Sequence, residues 1–354
     1  MDKKTYAIEY PDGEYENILL THAAEKNVPI QGEIEITSEC NFRCIHCYAD
    51  QEKSSMDPVL FMRIADQLRQ SGCIWLLVTG GEPLIHQYFD EMWNYAHGIG
   101  LRLSLFTNGS MLTDKKISVL RQAPPENIEV SVYSLSGESQ KNITGNTLDI
   151  DTLLSGLRSL KTVSRVVLKT PLLTENIEET DKIEQLAKEN GFGFRMDAVI
   201  HPALSGDCSS IRHRVPAAKA ASVVMKDPLM REQLRESNSH NRLPFETEGY
   251  LFPCSAGKYS FHIDNEANLS MCSIYRNRAG SLKEESFASV WKRLADLRET
   301  KAAPNKRCGE CKIKSICPTC PAVGKLHNRE SDYIDEYICQ YTHEIAALSG
   351  IKVL

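Results

Sequence analysis

The chain has 354 residues, of which 42% are hydrophobic and 25% charged, and its formal net charge is −6. That balance suits a water-soluble protein with room for one large domain and a smaller one, and no block of Lys and Arg forms the kind of patch that steers nucleic acid. Met1-Asp-Lys-Lys-Thr-Tyr lacks the apolar stretch of a signal peptide, and the longest apolar run, Ile74 to Val78, is far too short to span a bilayer. A cytoplasmic location with no membrane and no nucleic-acid partner is therefore expected. Residues 1–32 are polar and short of pattern, and read as a leading arm or a small strand pair.

From Glu33 the chain alternates strand and helix signals. Ile34–Thr37 reads as a strand, and Asp57-Pro58 caps a helix carrying Leu60, Phe61, Ile64, Ala65 and Leu68 that stops at Gly72. Then follow a strand over Ile74–Thr79, a helix over Tyr88–His97, a strand over Leu101–Phe106 and a helix from Thr113 to Arg121. Next come a strand over Ile128–Tyr133, a helix over Asp151–Leu160, a strand over Val166–Leu172, a helix over Glu178–Glu189 and a strand over Phe192–Met196. Six β/α repeats in order predict an α/β fold in which helices cover a parallel sheet, closed or half closed as a barrel. The pattern breaks near Ile200: residues 201–216 read as a loop, and a helical stretch runs to about Ser237. From Thr247 the texture is short strands, one helix (Phe287–Glu299) and dense cysteines. The expected division is an arm over 1–32, a β/α core over 33–200, a helical bridge over 201–245 and a cysteine-rich domain over 246–354.

Twelve cysteines in a chain without an export signal argue for metal or redox chemistry rather than a disulfide framework. Cys40-Asn-Phe-Arg-Cys44-Ile-His-Cys47-Tyr48 places three thiols at the spacing of three corners of a [4Fe-4S] cube, leaving one iron open to a small molecule. A structural zinc site, the alternative, wants four closed ligands. The second group is Cys254, Cys272, Cys308, Cys311, Cys317, Cys320 and Cys339. Seven thiols suit two further clusters better than one zinc, with a zinc knuckle of Cys308, Cys311, Cys317 and Cys320 as the alternative. Cys73 opens an apolar strand and reads as a buried, inert thiol, and Cys208 stands alone.

In parallel β/α folds, function gathers on the loops at the C-terminal ends of the strands. Cys40–Cys47 follows the first strand, Gly80-Gly81-Glu82-Pro83 the second and Thr107-Asn108-Gly109 the third, while Ser131-Val-Tyr133-Ser134 ends the fourth. All four are expected on one rim. Together the cysteine trio and the GGEP turn resemble the radical S-adenosylmethionine (radical SAM) superfamily, whose fold is a partial (β/α)6 TIM-like barrel. The resemblance implies a SAM-binding [4Fe-4S] cluster on Cys40, Cys44 and Cys47, with Tyr48 packed beside it. It implies that Gly80 and Gly81 let backbone approach the SAM ammonium, that Glu82 neutralises it and that Pro83 fixes the turn. Ser131 matches the polar contact of the fourth strand. Asn108 is either a further contact or a purely structural turn residue. The implied chemistry is reductive cleavage of SAM to a 5′-deoxyadenosyl radical that abstracts a substrate hydrogen.

Tyr133 stands where this superfamily usually has Asp, and the stretch through Ile143-Thr-Gly145 resembles the form found in peptide-modifying members. So do Lys169-Thr-Pro-Leu-Leu-Thr-Glu-Asn176 and Phe194-Arg195-Met196-Asp197. Tyr133, Lys169 and Asp197 are the candidate catalytic residues. Lys169 either points into the lumen or pairs with a carboxylate; Asp197 is either a proton acceptor or substrate contact, or a cap or salt bridge. The later cysteines resemble a SPASM domain with two auxiliary [4Fe-4S] clusters. Ala267 replaces the usual Gly, and Cys317 and Cys320 are closer than is common. The interleaved topology of that domain implies one cluster on Cys254, Cys272 and Cys320, with an open iron, and a fully ligated one on Cys308, Cys311, Cys317 and Cys339.

The leading expectation is an enzyme that modifies a ribosomally made peptide by a thioether, a crosslink or epimerisation. The alternatives are a dehydrogenase of a protein side chain or small-molecule alcohol, and an iron–sulfur electron carrier or scaffold without SAM chemistry. The expected partners are the peptide or small-molecule substrate, a flavodoxin or ferredoxin as reductant and, since residues 1–32 are too few for a leader-peptide-binding domain, a separate protein for that task.

Overall fold

In the computed structural model, α1 (Glu14–Lys26) precedes the sheet, so the described part of the segment read as an arm or strand pair contains a helix. Ala23 and Ala24 seal it beside Ile30 and Tyr259. The structure describes residues 14–49, 53–239, 251, 252, 254–301 and 305–351; residues 1–13 of the expected arm, 240–245 of the expected bridge and 246–250 of the expected cysteine-rich domain lie outside the described residues.

The six predicted repeats are present. β1 (Gln31–Glu35), α2 (Pro58–Gln70), β2 (Trp75–Thr79), α3 (Phe89–Gly98), β3 (Arg102–Thr107), α4 (Asp114–Gln122) and β4 (Asn127–Ser131) follow the predicted order. An unpredicted short helix, α5 (Gly137–Thr144), precedes α6 (Ile150–Leu160), β5 (Arg165–Pro171), α7 (Thr180–Asn190) and β6 (Gly193–Asp197). Strand periodicity divides the side chains between two faces. Ile34, Leu76, Val78, Leu103 and Leu105 are sealed in one core with Phe61, Ile64 and Leu68 of α2, each worth about 1.5–3 kcal/mol in burial. Glu33, Glu35, Phe106, Ser131, Lys169 and Asp197 line a cavity on the other side.

The barrel does not close. Among the described residues β6 pairs only with β5, and the other side of β1 is taken by β7 (Ser260–Ile263), also parallel to it. β8 (Asn268–Ser270) and β9 (Gly280–Ser281) extend the sheet antiparallel, giving nine strands in the order β6-β5-β4-β3-β2-β1-β7-β8-β9. β1 is thus flanked by both halves of the chain, and the cysteine trio leaves from its end. Ala267 sits in the β7–β8 turn at φ 62°, a left-handed conformation that explains the usual glycine there.

Between β6 and β7 the predicted single helical stretch is two helices, α8 (Ala217–Val224) and α9 (Pro228–Ser239), divided where Pro228 disfavours helix at Asp227. The C-terminal region has more helix than the one predicted: α10 (Phe287–Arg298) is joined by α11 (Lys306–Gly309), α12 (Pro321–Leu326) and α13 (Glu336–Leu348). Asp335 caps α13 and forms a buried pair with Arg214 at 2.8 Å. Tyr341 and Ile345 of α13 pack on Ala220 and Ala221 of α8. Phe261 of β7 meets Phe287 and Trp291 edge-on, and the Trp291 indole donates to the Asn27 carbonyl at 2.7 Å. No helix among the described residues is long and apolar enough to cross a membrane.

Candidate active site

Backbone contacts on two sides fix the cysteine loop. On one side, the Gly81 amide donates to the Thr37 carbonyl and the Glu82 amide to the Glu39 carbonyl, both at 2.8 Å. A Cβ on Gly80, which sits at φ +152°, would lie 2.2 Å from the Thr37 oxygen, and one on Gly81 would lie 2.3 Å from the Glu39 oxygen. The paired glycines are therefore required for the close approach of two backbones. On the other side, the Arg43 amide donates to the Thr144 carbonyl at 2.7 Å and the Ile45 amide to the Ile143 carbonyl at 2.9 Å. Gly145, at φ 72°, ends α5 there. The Ile143-Thr-Gly145 stretch, noticed in the sequence only as a resemblance, is thus the clamp of the loop.

The loop faces a cavity of about 1230 Å³. Cys40, Cys44, Cys47, Gly80, Gly81 and Asn108 line it, as do Tyr48, Ser131, Tyr133, Lys169 and Asp197. The opposite wall comes from the C-terminal half, including Asp264, Ser273, Arg276 and Tyr341. Burial pushes the Cys44 thiol up to about 12, with the charges of Cys47 and Cys40 adding to the rise. Three converging, half-buried thiols outside any disulfide are a donor set that fits a cluster needing thiolate ligands. The Asn108 amide nitrogen donates to Asn41 Oδ1 at 3.0 Å and lies 3.9 Å from Cys40 Sγ.

Glu82 and Pro83 are buried and do not line the cavity. Pro83 opens a single 3-10 turn, and Glu82 caps it by accepting from the Leu84 amide at 3.0 Å. The same carboxylate accepts from the Thr107 hydroxyl at 2.7 Å and the Asn108 amide at 2.6 Å, so it pins the turn after β3 from behind. Burial pushes Glu82 up to about 7 against those three donors. Its folded pKa lies above the ordinary 4.5, so its contribution to stability is fullest below pH 4.5 and is lost as the pH rises towards 7. Across that window the wild type is expected to lose about 3 kcal/mol relative to Glu82→Gln in anaerobic urea unfolding. A difference between the two that stays constant with pH would show that Glu82 does not titrate there.

Lys169 and Asp197 come together in the lumen. Lys169 Nζ is 3.0 Å from Asp197 Oδ2 and 5.3 Å from the centre of the Phe106 ring, and Arg195 reaches the same Asp197 oxygen at 3.3 Å. Burial pushes Asp197 up, but Lys169 and Arg195 outweigh it and hold the carboxyl below its ordinary value. Asp197 is therefore in a salt-bridge network, and Lys169 both faces the cavity and pairs with a carboxylate.

Mutual repulsion among the C-terminal thiols divides them into two sets. Cys272 feels Cys320 and Cys254, whereas Cys308 feels Cys317, Cys339 and Cys311. Burial pushes Cys272 up to about 11. Three thiols thus converge in one set and four in the other, and both sets fit iron–sulfur ligation. Cys73 is sealed in the core. A joint that sequence reading missed lies between the two cysteine regions: Arg276 clamps both oxygens of Glu35 at 2.9 and 2.5 Å. His262, fully buried, has its ring nitrogens 3.7 Å from Glu33 and 3.9 Å from Glu35. Glu33, Glu35 and His262 are close enough to share a cation, but Arg276 already occupies both oxygens of Glu35.

The family comparisons agree with this geometry. Residues 34–187 match the model of the radical SAM superfamily, and residues 254–312 match SPASM, an iron–sulfur cluster-binding domain. The AdoMet-dependent heme synthase of Methanosarcina barkeri is 25% identical, covering 88% of this chain and 96% of that one. The sporulation killing factor maturation protein SkfB of Bacillus subtilis is 22% identical, covering 86% of this chain and 72% of that one. SuiB of Streptococcus suis, solved with its precursor peptide SuiA, superposes with a TM-score of 0.69 at 15% identity, covering 96% of this chain and 83% of that one. These domains take [4Fe-4S] clusters and SAM as cofactors, and a GGEP turn against a three-cysteine loop, on an open sheet extended by a cysteine-rich hairpin, fits them. The chain is an enzyme of the radical SAM superfamily carrying a SPASM domain.

Proposed function

We propose that this enzyme matures a ribosomally made peptide, forming a thioether or other crosslink or inverting a stereocentre. The observation that carries the reading is the cavity of about 1230 Å³, walled by the cysteine loop on one side and by residues of the cysteine-rich half on the other. That is room for SAM together with a peptide side chain. SkfB, named as a maturation protein, and SuiB, solved with a precursor peptide, support the choice of substrate.

In this reading Cys40, Cys44 and Cys47 hold the SAM-cleaving cluster. Gly80, Gly81, Asn108, Ser131 and Tyr48 shape the place for SAM, and Glu82 and Pro83 hold that wall from behind. Cys254, Cys272 and Cys320 hold one auxiliary cluster, and Cys308, Cys311, Cys317 and Cys339 the other. Cluster and SAM, when bound, supply a hydrogen-abstracting radical by one-electron cleavage of the sulfonium. Lys169 and Asp197 offer the substrate a charged wall. Residues 33–200 and 246–354 act as core and auxiliary domain, with flavodoxin or ferredoxin as reductant and a separate leader-binding protein as partner.

The heme synthase relative favours a second reading, action on a heme precursor. The test sequences the neighbourhood of the gene for a short open reading frame and incubates reduced, reconstituted enzyme with SAM and the peptide that such a frame encodes. Expected are 5′-deoxyadenosine and a peptide lighter by two hydrogens, or a mass-neutral D-residue found by chiral analysis. An unchanged peptide with turnover of a heme precursor establishes the second reading. Metal analysis is expected to find about 12 iron per chain without stoichiometric zinc; about 4 iron plus zinc overturns the auxiliary assignment.

A further inference from the structure

Among the described residues, five carboxylates line the cavity: Glu33, Glu35, Asp197, Asp264 and Glu266. Four of them are committed at short range. Arg276 clamps both oxygens of Glu35 at 2.9 and 2.5 Å. Lys169 and Arg195 share one oxygen of Asp197 at 3.0 and 3.3 Å. Asp264 accepts from the backbone and side-chain amides of Asn268, both at 2.9 Å. Glu266 pairs with Lys283 at 2.5 Å and accepts from the Ser54 hydroxyl. Glu33 is held more loosely. Its ion-pair contact is His262 Nδ1 at 3.7 Å, beyond hydrogen-bond reach. Its side chain is 25% exposed, against 9% for Glu35 on the same strand.

The fold puts a second group directly behind it. Glu33 and His262 are register partners across the pairing of β1 with β7. His262 is fully buried, and neither of its ring nitrogens has a hydrogen-bond partner. Buried polar atoms are nearly always paired, so this ring is an exception that asks for a use. Nδ1 faces Glu33 at 3.7 Å and Nε2 faces Glu35 at 3.9 Å. A neutral imidazole keeps one nitrogen as an acceptor, and a proton handed to this ring would sit between two carboxylate oxygens. Glu33 itself stands ionised, because His262 and Arg276 outweigh its burial and hold it below its ordinary value. The groups that face it are Glu35 on its own strand, His262 from β7, Arg276 from beyond β8 and Tyr48 from the cysteine loop, whose phenol burial keeps protonated.

We propose that Glu33, backed by His262, is a catalytic residue that takes the proton released when a peptide radical closes a crosslink. This rests on the reading of the enzyme as a peptide crosslinker. The carbon radical bonds to a thiol sulfur or amine nitrogen of the peptide, and the S–H or N–H bond breaks. Its proton goes to Glu33, and the electron left over reduces an auxiliary [4Fe-4S] cluster. The test incubates reduced holoenzyme with SAM and the peptide of the neighbouring open reading frame, and measures crosslinked peptide per 5′-deoxyadenosine. In Glu33→Gln the iron content is expected to hold and that ratio to fall about a hundredfold. His262→Gln is expected to lower it by less. A ratio in Glu33→Gln equal to that of the wild type overturns the proposal; if that variant loses iron, an unchanged ratio in His262→Gln overturns it. A second readout needs no turnover. The infrared difference between oxidised wild type and Glu33→Gln at neutral pH is expected to show an ionised carboxylate, and a protonated carboxyl there overturns the role. A wild type that forms 5′-deoxyadenosine but leaves the peptide unlinked overturns the crosslinking reading, and this role with it.

Discussion

Replacing Cys40, Cys44 and Cys47 together by Ala is expected to abolish 5′-deoxyadenosine formation while leaving about 8 iron per chain. The loss is complete in principle because the open iron has no substitute. The protein around it supplies position and a dry wall, and neither cleaves a sulfonium by itself. Retention of the remaining iron follows from where the other thiols sit. The converging sets of Cys272 and of Cys308 belong to the C-terminal half, and their neighbours are one another rather than the trio. The loop is also clamped by backbone bonds to Gly81, Glu82, Ile143 and Thr144, which the substitutions leave in place. Iron analysis and chromatography of the SAM reaction measure both halves of the expectation. Residual 5′-deoxyadenosine in the triple variant would move the reaction centre elsewhere, and loss of all iron would show that the clusters depend on one another.

How much of this was legible in the sequence depended on range. The trio, the GGEP turn and the six strands were readable because each is a contiguous pattern with its own local signal, such as Asp57-Pro58 before α2. α13 was equally local, since Asp335 caps it and Ile338, Tyr341, Thr342 and Ile345 recur at helical spacing, yet Phe287–Glu299 was the one helix expected there. α5 is too short for periodicity to identify. The pairing of β7 with β1 was not readable, because Gln31 meets Ser260 across most of the chain and no local pattern specifies a partner. For the same reason the sequence suggested Glu82 as a group facing SAM, whereas its carboxylate is committed to Thr107 and Asn108 on the next turn. Whether Asp197 was a proton acceptor or a salt-bridge partner stayed open in the sequence, because Lys169 and Arg195 are brought to it only by the sheet.

Arg276→Ala is expected to destabilise the fold by about 3–5 kcal/mol, measured by anaerobic urea unfolding. Arg276 lies just past Cys272, and its two-pronged bond to Glu35 joins the cysteine-rich hairpin to β1. The pair is little exposed, 22% for Arg276 and 9% for Glu35, so solvent screens it weakly. Glu33 adds to the cost: burial pushes its carboxyl up, but His262 and then Arg276 outweigh this and hold it below its ordinary value. Removing the guanidinium leaves two carboxylates on the same strand face with His262 between them. The cost is therefore that of stranded charge rather than of a missing contact, and this can be checked. The double variant Glu35→Leu, Arg276→Met strands neither partner and is expected to lose much less than Arg276→Ala alone. If the double variant proves as unstable as the single one, the joint is held by shape and not by charge. Because the hairpin carries Cys272, Arg276→Ala is also expected to lose about 4 iron while keeping SAM cleavage at the trio. A two-pronged bond between β1 and the cysteine-rich hairpin would then be what holds the two cluster regions on opposite walls of one cavity.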